Sequence, residues 1–186
     1  MTTKAMLALV LLGLGPVALA DDSNLLQNGD FSSGLAHWDG DGRSLATTTN
    51  ALAPGNGMGV ELRAEWTKVI QNFDAKRGDY TVSITYSLTP GTTFTADEKD
   101  YRKVPKKLGF DALQEFRVKK GEWAIIITDR KRFVHCAIKP PEAGNGEQTI
   151  TGNFKLGYNG DDQTFCLAFP PGNGVVTIQN IALTVK

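Results

Sequence analysis

Between Gly78 and Leu88 the chain alternates apolar and polar positions without a break. Tyr80, Val82, Ile84, Tyr86 and Leu88 fall on one face, and Thr81, Ser83, Thr85 and Ser87 on the other. A period of two is that of a β-strand, so the first set is expected to face a core and the second to face solvent or a polar surface. Other stretches carry weaker versions of the same signal. Val60 and Leu62 alternate with Glu61 and Arg63, and Ser44 to Thr49 and WTKVIQNF (Trp66 to Phe73) read as further strands. WAIIIT, Trp123 to Thr128, is a strand by its β-branched content. RKRFVHCAIKP, QTITGNFKL, QTFCLAFP and VVTIQNIALTV complete the set.

Punctuation agrees with this pattern. The 20 Gly and 8 Pro supply many turns, as an all-β protein of short strands needs. At the start, Asn24 to Trp38 (NLLQNGDFSSGLAHW) is expected to form a short strand, a tight turn and a return ending in a buried aromatic. Leu25, Leu26, Phe31, Leu35 and Trp38 are its apolar anchors. Asn28-Gly29 is the turn dipeptide, because both residues tolerate positive φ. Gly34 allows a second bend.

Three strings in order, NGDF near the start, GDYTVSITY in the middle and TIQNIAL at the end, carry a family resemblance. Gln71, Gly78, Tyr80 and Tyr86 add to it. The chain resembles the galactose-binding-like jelly rolls, especially carbohydrate-binding modules of the family 4/9 type. The resemblance implies an all-β fold, an antiparallel β-sandwich of jelly-roll type. It also implies a non-catalytic module that binds a polysaccharide or cell-surface glycan. Such modules often hold a structural calcium through acidic side chains after the opening Phe and in a closing I-D-N string. Here those positions are Ser32 and Gln179, so no tightly bound calcium is expected. Asp39 to Gly42 reads D-x-D-G, but the rest of a twelve-residue calcium loop lacks ligands. Modules of this family usually accompany an enzyme. This sequence reads as a lone module, an expectation that favours the alternative of a structural or protein-interaction jelly roll without a sugar site.

Bulk properties narrow the setting. The 186 residues fit one domain, and a net charge of +0 demands neither nucleic acid nor an anionic membrane as partner. That total hides polarity. Asp97 to His135 holds 11 Lys+Arg against 7 Asp+Glu, whereas Asp21 to Ala96 holds 5 against 9. The excess falls largely in a charged insertion at 94–120, with Arg102, Lys103, Lys106, Lys107, Arg117, Lys119 and Lys120, and a short helix is expected from Asp111 to Phe116. Residues 1–20 read as a secretory signal: Lys4, an apolar run from Ala5 to Val17, then Ala18-Leu19-Ala20. The run is short for a membrane span and Pro16 interrupts it, so a secreted or periplasmic protein is expected, with no span in the mature chain.

No catalytic constellation is evident, so a small polysaccharide-acting enzyme stands as the lesser alternative. The histidines are His37 and His135, and the chain has no G-x-S-x-G, H-E-x-x-H or phosphate loop. No cofactor motif appears. For a sugar ligand, flat aromatic rings would meet C–H faces and polar groups would meet hydroxyls. Trp66, Trp123, Tyr101 and Tyr158 have mostly polar neighbours. The candidate binding set is Trp66, Trp123 and Tyr101, with Thr81, Ser83 and Thr85 as hydroxyl partners. Cys136 and Cys166 in an exported chain read as one disulfide. Against it, Cys166 alternates with Phe165, Leu167 and Phe169, whereas Cys136 is in phase with Val134 and Ile138.

Overall fold

The computed structural model describes residues 24–40, 45–49, 56–94, 121–128, 133–139 and 146–186. The expected signal segment, most of the charged insertion with Tyr101, and the expected helix at 111–116 lie outside the described residues. Those described contain twelve strands and no helix. The strands are β1 (Asp39–Gly40), β2 (Leu45–Thr49), β3 (Asn56–Glu61), β4 (Thr67–Ala75), β5 (Gly78–Leu88) and β6 (Thr93–Phe94). They continue as β7 (Trp123–Thr128), β8 (Phe133–Ile138), β9 (Gln148–Leu156), β10 (Gly160–Phe169), β11 (Gly172–Asn173) and β12 (Val175–Val185). One sheet has the order β1-β4-β10-β7-β8, the other β2-β3-β12-β5-β9, and β6 and β11 form a small ribbon. Every pairing is antiparallel. This is the jelly-roll sandwich that the alternating pattern implies.

The core lies between the two sheets. From β5 come Tyr80, Val82, Ile84 and Tyr86, all buried. β12 adds Val176, Ile178, Ile181 and Leu183, with a bulge between Ile178 and Asn180 that resets its phase. The facing sheet supplies Val69 and Phe73 from β4, Phe165, Leu167 and Phe169 from β10, and Trp123, Ile125 and Ile127 from β7. Trp123 is fully buried, with its ring edge-on to Tyr86 at 4.7 Å and Phe169 at 4.8 Å. Burial pushes the Tyr86 phenol up to about 12, and its hydroxyl donates to Gln148 Oε1 at 2.9 Å.

The opening segment differs from the expected strand, turn and return. Asn24 to Trp38 is a string of turns fastened to β12. Leu25 N–H donates to Leu183 O, Ile181 N–H donates to Gly29 O, and Asn24 bridges Ile181 O and Leu183 N. Asn28 has the positive φ, 50°, but Gly29 does not. Gly29 is required for space: a Cβ there would lie 2.1 Å from Ile181 O. Long-range docking, rather than a local hairpin, decides the shape of this segment.

The expected disulfide is not formed between Cys136 and Cys166. Cys136 on β8 stands opposite Ile125 of β7, while Cys166 on β10 stands opposite Ile126. The thiols therefore lie on opposite faces of one sheet with a strand between them, beyond the reach of an S–S bond. Cys136 points inward, where a Cβ at Gly152 would come within 3.0 Å of its sulfur, and burial pushes its thiol up to about 12. Cys166 is wholly buried on the other face beside Ile126, Ala124 and Ala168.

Candidate functional site

Two surfaces offer polar chemistry. The first is the outer face of the sheet built on β5. Thr81, Ser83 and Thr85 lie there half-buried, as alternation requires. Register sets them opposite Asn153, Thr151 and Thr149 of β9 and opposite Thr184, Ala182 and Asn180 of β12. The hydroxyls already bond across strands. Thr81 Oγ1 donates to Asn153 Oδ1 at 2.9 Å, Thr85 and Thr149 share a bond of 3.0 Å, and Gln179 Nε2 donates to Ser87 Oγ at 3.0 Å. Each hydroxyl keeps acceptor capacity for a ligand. Among the described residues the face carries no aromatic ring.

The aromatic partners expected from sequence do not join it. Trp123 belongs to the core and presents no face to solvent. Trp66 precedes β4 and is 6% exposed, too little for a sugar to stack on. Tyr158 packs against the core as a partly buried residue. Of the candidate set, the structure thus brings together Thr81, Ser83 and Thr85, and removes both tryptophans by burial.

The second surface was missed by sequence reasoning. A depression of about 330 Å³ lies where the opening segment meets β1 and β4, lined by Gln27, His37, Asp39, Ile70, Gln71 and Asn72. Ile70 and Asn72 point outward from β4, on the side opposite core-facing Val69 and Phe73. Asp39 pairs with Ile70 in register and so shares that side. Gln71, only 4% exposed, ties the rim down: Gln27 N–H donates to its Oε1 at 2.6 Å, and its Nε2 donates to Gln27 O at 2.9 Å.

Asn28 holds the rest of the rim. Its Nδ2 donates to Gly34 O and Ala36 O, its Oδ1 accepts from Ser33 N–H, and its carbonyl accepts from the Trp38 indole at 3.0 Å. Trp38 in turn packs on Phe31 at 5.5 Å and edge-on to Phe165 at 6.2 Å. His37 is thereby fixed between a hydrogen-bonded turn and a core tryptophan. Asp39 Oδ1 accepts from Gly40 N–H, and the carboxylate has no cationic partner among the described residues. The depression thus joins one carboxylate, two exposed amides, an imidazole and an apolar patch at Ile70.

A family-type calcium does not fit the corresponding positions. The Asp30 carboxylate accepts from Ser32 N–H, and Gln179 is bonded to Ser87. Neither Ser32 nor Gln179 is charged, and the described residues hold no cluster of three or more metal-binding side chains.

No protein-family profile matches the chain, and no curated protein sequence does so. Solved structures do match. A family 16 carbohydrate binding module superposes with a TM-score of 0.57 at 14% identity, covering 87% of this chain and 99% of that one. The CBM22-1 xylan-binding domain of Paenibacillus barcinonensis Xyn10C gives 0.51 at 9% identity, with 80% and 85% covered. The CBM22-1-GH10 modules of the Clostridium thermocellum xylanase 10B, complexed with xylohexaose, give 0.57 at 12% identity, covering 89% of this chain and 29% of that one. With its two five-stranded antiparallel sheets in this order among the described residues, the chain has a jelly-roll β-sandwich fold similar to that of these solved carbohydrate-binding modules.

Proposed function

We propose that this chain is an exported, non-catalytic module that binds a polysaccharide or cell-surface glycan, and that it does so in the depression beside β1. The observation that carries the reading is this concavity with its mixed lining, on a fold that other sugar-binding modules share. Binding sites for small ligands are concave and combine an apolar patch with a few convergent polar groups. Asp39, Asn72 and Gln27 supply partners for hydroxyls, and Ile70 supplies a surface for C–H groups. Export rests on the character of residues 1–20. Among the described residues the lining holds one carboxylate, where glycoside hydrolysis ordinarily uses two.

Affinity is expected in the range of about 1 mM to 1 µM, or roughly −4 to −8 kcal/mol. The test is isothermal titration with xylohexaose, cellohexaose and a uronic-acid oligosaccharide at two salt concentrations. Asp39→Ala should weaken binding about tenfold, the loss of a charge-assisted hydrogen bond. If Arg102 to Lys107 contributes, the uronic-acid ligand should bind best and weaken as salt rises. Binding unchanged by Asp39→Ala but lost on replacing Thr81, Ser83 and Thr85 by Ala would move the site to the hydroxyl face. That face also supports a second reading, a protein-interaction domain, because Thr81 and Thr85 are already bonded to Asn153 and Thr149 and, among the described residues, no ring lies on it. Silence of the wild type toward all three ligands would favour that reading.

A further inference from the structure

We infer that His37 is a ligand-contacting residue of the depression, its imidazole serving as the flat surface on which one sugar residue rests. This rests on the glycan-binding reading above. Three non-glycine residues of the opening segment have left-handed backbones: Asn28 at φ 50°, Phe31 at 55° and His37 at 70°. That conformation is uncommon for residues with a Cβ, although Asn, Asp and His adopt it more readily than the rest, so each instance is worth a reason. Asn28 has one, since its side chain and carbonyl hold the whole loop together. Phe31 has another, since its ring is fully buried in the core against Trp38.

His37 has neither. Its side chain is exposed and makes no hydrogen bond or ion pair among the described residues. The loop dictates the conformation, because Ala36 O is held by Asn28 and Trp38 N–H donates to Leu35 O. The loop does not dictate histidine, and glycine would adopt the same φ at lower cost. Strained residues of this kind cluster where ligands bind. Position gives the second argument: His37 is the one aromatic ring among the described residues lining the depression, beside Asp39 and Ile70. An imidazole offers a π face to sugar C–H groups and ring nitrogens to hydroxyls. The buried Trp66 and Trp123 can do neither.

The experiment compares wild type with His37→Gly and His37→Asn by thermal denaturation, by titration with the same oligosaccharides, and by NMR of the imidazole C–H signals. The chain has two histidines, so loss of one signal set in His37→Gly assigns the other. The glycine variant should melt about 2–4 °C higher, because strain is relieved. It should also bind about 3- to 10-fold more weakly, and the asparagine variant should lose binding similarly. The His37 signals of the wild type should shift on adding the oligosaccharide that binds. A lower melting temperature in His37→Gly would make His37 structural and overturn the inference. So would wild-type affinity in both variants while Asp39→Ala still weakens binding, an outcome that leaves the glycan-binding site in place. No binding by the wild type would remove both.

Discussion

Gly29 shows how one residue can hold a segment in place. Its carbonyl accepts the Ile181 N–H, and its missing side chain lets the two backbones approach. Gly29→Ala is expected to cost about 1–3 kcal/mol by forced separation, lowering the melting temperature by roughly 3–10 °C. Gly157→Ala is the control: a Cβ there meets nothing within 4 Å, so thermal denaturation should be nearly unchanged. The NG pair was legible in the sequence as a special backbone site. The reason was not, because it depends on a carbonyl contributed by the last strand. Gln71 is similar. Its place in the string was legible, but its clamp on Gln27 joins residues 44 apart in the chain.

At the scale of strands, legibility follows periodicity. β5 alternates cleanly and faces the way its sequence says. Ile84→Ala should therefore cost about 2–5 kcal/mol, whereas Thr85→Ala on the outer face should cost less than about 1 kcal/mol even with its bond to Thr149 lost. Urea denaturation of the two variants checks the contrast. β7 was legible as a strand but not in its facing, because it is buried on both sides and WAIIIT has no alternation to say where Trp123 points. The same limit touches the cysteines. Their phases hinted at opposite faces, yet the intervening β7 is a fact of strand order, which local sequence does not encode. β1, two residues long, has no period at all. The depression that β1 forms with β4 and residues 27–37 was accordingly invisible until the chain was folded.

For the whole molecule, cohesion comes from one shared core between two sheets, without a covalent or metal clip among the described residues. The melting temperature is therefore expected to be the same, within error, with and without reductant and with and without chelator. A drop of several degrees in either case would reveal a tie that the described residues lack. The fastening of the opening segment to β12 has a mechanical consequence. The bonds at Leu25–Leu183 and Gly29–Ile181 run antiparallel, so Asn24 and the end of β12 sit side by side. Tension applied between these two ends loads the bonds in sequence, peeling the segment like tape instead of shearing it. The part that lifts first carries Gln27 and then His37. Under pull, the proposed glycan site would be lost by dismantling the rim while both sheets stayed whole.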